Sequence, residues 1–171
     1  AKLHHQGLLN NSKSFQIRMS MKRGDNWLNC MPMFHTSGAG MATLGCLALR
    51  ASHFIMERFD AKVWCQVVAR EKINFFNAVP TMYSEILQEW KSGNYGSSDL
   101  KGFSNGGANV PPVQVKELHE IFGVWLQIIY GQTELCPVTT QTWSNDSLEN
   151  LTNSVGQALP NVEISIRDPL T

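Results

Sequence analysis

The run Leu126-Gln127-Ile128-Ile129-Tyr130-Gly131-Gln132-Thr133-Glu134 decides how the rest of the chain is read. Val124 to Tyr130 is almost continuously apolar, as a strand covered on both faces of a sheet should be. Gly131 then lets the backbone turn sharply or approach a ligand closely. Tyr130, Thr133 and Glu134 follow at the strand's carboxyl end, where open α/β sheets bind their ligands. An aromatic ring stacks on a base, a hydroxyl donates to a phosphate, and a carboxylate holds a divalent cation.

Working back from this strand, short apolar runs alternate with helical stretches. Strands are expected at Trp27 to Met31, His53 to Met56, Ile73 to Val79 and Leu100 to Ser104. Between them, a small-residue helix is expected over about Gly40 to Arg50. Asp60 is a good N-cap for the next, whose buried stripe is Val63, Trp64, Val67 and Val68. Pro80 opens a helix through Trp90, and Pro111-Pro112 opens one through Phe122. Leu3 to Met21 fits a helix only loosely. Val138 to Trp143 and Val162 to Arg167 read as later strands with a polar loop between them. The alternation implies an α/β fold, a mostly parallel, doubly wound sheet flanked by helices. Four loops should then meet at its carboxyl edge: Phe34 to Gly38, Val79 to Thr81, Gly106 to Asn109, and Tyr130 to Glu134.

Composition narrows the function. The chain of 171 residues carries equal numbers of acids and bases, so no basic surface points to nucleic acid. No apolar run approaches the ~20 residues of a transmembrane segment. The four cysteines are widely spaced, which argues against zinc and against a disulfide scaffold, and fits free thiols in a reducing cytoplasm. Ala1 is not an initiator Met and the first residues do not read as a signal peptide, so a fragment or processed piece is expected.

Taken together, the motifs resemble the adenylate-forming superfamily, the AMP-dependent synthetases and ligases that include acyl-CoA synthetases. Tyr130-Gly131-Gln132-Thr133-Glu134 matches its Y-G-x-T-E run, Met31-Pro32-Met33-Phe34-His35 its M-P-x-F-H loop, and Gly106-Gly107-Ala108 its G-G-A loop. Ser154-Val155-Gly156-Gln157-Ala158-Leu159-Pro160 resembles the stretch that follows. Order and spacing agree over nearly the whole chain. The family's phosphate loop, its T-G-D motif and its C-terminal cap domain have no counterpart here. The resemblance therefore implies that residues 1–171 are a single fragment of the large N-terminal adenylation domain. Asn109 stands where many acyl members have Pro.

The resemblance implies an acid–thiol ligase that activates a carboxylic acid, a fatty acid in the first instance, with ATP and passes it to coenzyme A. By position, Tyr130 would stack on adenine, with Gly106, Gly107, Ala108, Gly131 and Gln132 around the nucleotide. Thr133 would bond the α-phosphate, Glu134 would hold Mg2+, and His35 would orient the carboxylate. Phe34, His35, Thr36, Gly38, Val79, Pro80 and Thr81 would line the acyl pocket. Two other readings compete. Gly38-Ala39-Gly40 mimics part of a dinucleotide-binding fingerprint, although Thr43 stands at the third glycine position. The other is a non-catalytic module that completes a larger domain, with apolar surface prone to self-association.

Overall fold

The computed structural model describes residues 1–168; residues 169–171 of the expected fragment lie outside the described residues. Seven strands form one sheet: β1 (Asn26–Asn29), β2 (Ser52–Ile55), β3 (Phe75–Ala78), β4 (Gly102–Asn105), β5 (Leu126–Gly131), β6 (Val138–Gln141) and β7 (Gln157–Ala158). Their order is β2-β1-β3-β4-β5-β6-β7. The pairs from β2 through β5 are parallel, and β6 and β7 add antiparallel to that edge. The strand order reverses at β1, since β2 lies on one side of it and β3 on the other. That reversal makes the gap between the β1 and β3 carboxyl ends a natural ligand crevice.

The helices are α1 (His5–Arg18), α2 (Gly45–Leu49), α3 (Ala61–Arg70), α4 (Pro80–Ser92), α5 (Pro112–Phe122) and α6 (Leu148–Asn153). Their ends follow local chemistry. The His4 ring accepts from the Gly7 amide at 2.9 Å and caps α1. Asp60 Oδ1 accepts from the Val63 amide at 2.9 Å and caps α3. Pro80 and Pro112 supply preset φ at the first turns of α4 and α5. Within α3 the buried side chains are Trp64, Cys65 and Val68, while Val63 is 45% exposed, so the buried stripe is rotated from the expected one.

Each sheet face carries its own core. One holds Trp64, Phe76, Tyr83, Phe103, Leu118 and Phe122 among its buried residues. The other holds Phe15, Met19, Trp27, Met41, Phe75, Ile129 and Val138. A wide π-helical segment, Ser37–Leu44, runs into α2 where one small-residue helix is expected. Residues 162–167 are not a strand. Ile166 is fully exposed and Ile164 52% exposed, and the outer edge of β6 pairs instead with Gln157 and Ala158. Nor is the stretch after β6 only a polar loop: Ser147 Oγ accepts from the Asn150 amide at 3.2 Å and starts α6, which buries Leu151.

Candidate functional site

The carboxyl ends of β1, β3, β4 and β5 enclose a cavity of about 280 Å³. His35 and Thr36 line it from the first loop with Met31 just before them, Val79 from the second with Asn77 of β3 beneath it, Gly106 and Gly107 from the third, and Gly131, Gln132 and Thr133 from the fourth. Ser37 and Met41 from the π-helical segment and Pro137 and Val138 at the start of β6 complete it. All four loops expected from the sequence thus contribute to one opening.

Two glycines are required by geometry here. A Cβ on Gly131 would lie 1.9 Å from the Pro137 carbonyl oxygen, so this crossing of β5 and β6 admits no side chain. Gly107 has a φ of +86°, which L side chains rarely adopt. The far wall is pinned by Asn11 of α1. Its Nδ2 donates to the Val138 carbonyl at 2.6 Å, and its Oδ1 accepts from the Val138 amide at 3.0 Å.

His35 is held by its own loop. Its Nδ1 accepts from the Ser37 amide at 3.1 Å and lies 2.8 Å from Ser37 Oγ. A nitrogen that accepts a backbone N–H carries no proton, so the neutral ring has its hydrogen on Nε2, ready to donate. Beneath the loops, burial pushes the Cys30 thiol up to about 12, and its Sγ donates to the Asn77 carbonyl at 3.2 Å. Burial likewise raises the Tyr83 phenol well above its ordinary value, and its hydroxyl donates to the Ser104 carbonyl at 2.7 Å. Both groups therefore stay protonated at neutral pH and act as fixed donors beneath the cavity.

The other expected site residues lie around the opening or away from it. Tyr130 is 46% exposed on the final turn of β5, and Glu134 is exposed in the short turn Thr133–Leu135. Ala108 sits exposed beside Gly107, and its carbonyl accepts from Asn105 Nδ2 at 2.8 Å. Phe34 is 94% exposed and does not line the cavity. Pro80 and Thr81 belong to the first turn of α4 outside it. Gly38 is buried in the π-helical segment, where a Cβ would meet the Pro32 carbonyl oxygen at 2.4 Å. Its glycine serves close packing of the loop, which removes the ground for reading Gly38-Ala39-Gly40 as a phosphate turn. Asn77, Ser37 and Met41 are lining residues that the motifs do not reveal. The signal for Asn77 was a polar residue set within the apolar strand Phe75–Ala78.

No group of three or more His, Cys, Asp or Glu among the described residues could by itself hold a metal ion. A lone exposed carboxylate at the opening, Glu134, suits Mg2+ that takes its other ligands from phosphates and water.

The family model for the AMP-binding enzyme matches residues 1–171. The chain belongs to the AMP-binding enzyme family. Among relatives of this AMP-binding enzyme chain, the acyl-CoA ligase sidI of Aspergillus fumigatus is 32% identical over 98% of the chain and 29% of its own length. The mitochondrial medium-chain acyl-CoA ligase ACSF2 of Homo sapiens is 28% identical over 97% of the chain and 28% of its own length. The chain thus spans under a third of the curated relatives it matches. The o-succinylbenzoate coenzyme A synthetase MenE of Bacillus subtilis, solved with ATP and magnesium, shares the fold: TM-score 0.84 at 24% identity, covering 96% of this chain and 34% of that one. MatB of Rhodopseudomonas palustris, solved with ATP, has TM-score 0.79 at 24% identity over 92% of this chain and 30% of its own.

Proposed function

We propose that this chain is part of the adenylation domain of an ATP-dependent, AMP-forming acid–thiol ligase. The observation that carries the reading is the meeting of four strand-end loops, three of them bearing a family motif, on one cavity. A carboxylate oxygen of the acid attacks the α-phosphorus of ATP and pyrophosphate leaves, giving an acyl adenylate. The thiolate sulfur of coenzyme A then attacks the acyl carbon and AMP leaves.

In this reading Tyr130 offers its face to adenine, and Gly106, Gly107 and Ala108 present bare backbone beside it. Thr133 donates to the α-phosphate. The Nε2–H of His35 donates to the acid's carboxylate and fixes its angle of attack. Glu134 would hold Mg2+, which would supply charge neutralisation when bound. The cavity lies behind Gly107 and takes the acyl group. Met31, Met41, Val79, Ile129 and Val138 give it an apolar lining suited to a fatty acid.

The relatives' names and lengths support an acyl-CoA ligase of which residues 1–171 are one fragment. Four free cysteines, three of them buried, are consistent with a reducing compartment such as the cytoplasm. No helix of the described residues is long and apolar enough to cross a membrane.

Calorimetric titration with a stable acyl-sulfamoyl-adenosine tests the reading, with NADH as comparison. Binding of the mimic is expected, weakened by ~1–3 kcal/mol in Tyr130→Ala, the scale of base stacking on an aromatic side chain. Tighter binding of NADH than of the mimic would overturn it. The chain by itself is expected to show no ATP–pyrophosphate exchange, because the family's phosphate loop and cap domain have no counterpart among its residues.

A further inference from the structure

We propose that Asn77 makes the acyl end of this cavity select a monocarboxylic acid whose chain carries an uncharged acceptor oxygen, a keto, hydroxyl or ether oxygen, over the plain alkyl acid. The inference rests on the reading that the cavity takes the acyl group.

Asn77 lies at the switch point of the sheet, one residue before the end of β3, and is 6% exposed. Its neighbours on the cavity floor are apolar: Met41, Ile129 and Val138 are each at most 9% exposed. Ser37 has its Oγ engaged with His35 Nδ1, and half-buried Thr36 keeps its Oγ1 enclosed without a partner among the described residues. Asn77 differs. Its Oδ1 accepts from Ser104 Oγ at 2.9 Å, which turns the amide so that Nδ2 is the free end. Its backbone carbonyl is held by Cys30 Sγ at 3.2 Å, so the residue sits on a fixed support. Nδ2 has no hydrogen-bond partner among the described residues, yet it is not one of the fully enclosed unpartnered atoms. It therefore opens onto the cavity.

A methylene chain laid against this amide would strip it of water and give nothing back. An acceptor oxygen at the same point restores the bond. A second carboxylate fares worse than a neutral oxygen. No Lys or Arg lines the cavity, so its charge would be taken out of water without a counter-charge. Polarity at the floor thus narrows the substrate class without calling for a dicarboxylic acid. A keto oxygen can only accept, so it reports on the Nδ2 donor alone.

The test uses three acyl-sulfamoyl-adenosines of equal chain length: octanoyl, a mid-chain oxo-octanoyl, and the acyl group of octanedioic acid. Calorimetry on the wild-type chain should rank the oxo compound about tenfold above octanoyl, with the dicarboxylic compound weakest. In Asn77→Leu, checked for folding by its melting curve, octanoyl should bind better than the oxo compound. In parallel, the 15N-labelled Asn77 side-chain amide should shift with free oxo-octanoic acid and not with octanoic acid. Equal affinities in the wild type, or a preference for octanoyl, would overturn the proposal and leave the adenylation reading intact. If no nucleoside compound binds while the free oxo acid still moves the Asn77 amide, the adenylation reading falls and the acid site stands. If neither binds, both fall.

Discussion

Two rows of side chains cross the sheet one residue apart, on opposite faces, and they could hardly be less alike. Leu28, Phe76, Phe103 and Leu126 stand in register on neighbouring strands β1, β3, β4 and β5, all at most 1% exposed and all apolar. The next row is Asn29, Asn77, Ser104 and Gln127, at most 6% exposed and all polar. The first row is roofed by α3, α4 and α5 with edge-to-face rings, Trp64 on Phe76 at 4.7 Å among them. The second is roofed by α1 and the π-helical segment, whose own buried residues include Ser12, Gln16 and Arg18. The larger apolar cluster lies on the first face, while the second keeps Phe15, Trp27, Phe75 and Ile129 beside its polar row. On the second face, polar side chains are held by hydrogen bonds, Ser104 to Asn77 and Gln127 to the Thr142 carbonyl among them.

Removing the centre of the apolar row should have the largest effect. Phe76→Ala deletes a side chain with no exposure and contacts to Trp64, Tyr83 and Phe103. A loss of about 3–5 kcal/mol is expected in denaturant unfolding. A loss under half of that would mean that the row does not anchor the core. Arg18→Met probes the roof of the polar face. The guanidinium donates to the carbonyls of Gln141, Gln157 and Ala158 at 2.7–3.1 Å and covers the Trp143 ring at 4.5 Å. About 2 kcal/mol should be lost, with faster amide exchange confined to β6 and β7. Exchange that rises equally over β1 to β5 would contradict that local role.

Ser104→Ala takes one link from the polar row itself and should cost about 1–2 kcal/mol, since it leaves the buried Asn77 Oδ1 without its donor. A cost as large as that of Phe76→Ala would erase the contrast between the rows. The smallest effect is expected at the sheet edge. Burial lowers the His53 pKa from its ordinary 6.5. The unfolded chain then takes up the proton at a higher pH than the folded one. His53's contribution is present above about pH 6.5 and is lost as pH falls toward the lowered value. The wild type should lose melting temperature between pH 7.5 and 5.5 by slightly more than His53→Gln does. Equal losses would remove His53 from the account.

The alternation of strands and helices was legible because the inner parallel strands carry fully buried apolar residues, Phe75 and Phe76 of β3 among them, and because α3 and α4 announce their starts at Asp60 and Pro80. The four loops were legible because strand ends in such a sheet share one edge. What stayed hidden has physical causes. Val162, Ile164 and Ile166 alternate as a strand should, but alternation supplies no partner edge, and Ile166 is left in solvent. Residues Gln157 and Ala158 form a strand of two residues, too short to have a pattern. The π-helical turn looks like an ordinary helix in composition. Phe34 matches its motif but is exposed and does not line the cavity, while Asn77, which has no motif, does.

The clasp of Asn11 on Val138 joins positions 127 residues apart. A ribosome adds about 5–20 residues each second, so α1 leaves the exit tunnel roughly 6–25 seconds before its anchor is made. For that interval Phe15 and Met19, later enclosed, have no sheet edge to rest on. The cavity comes into being only when its last wall arrives.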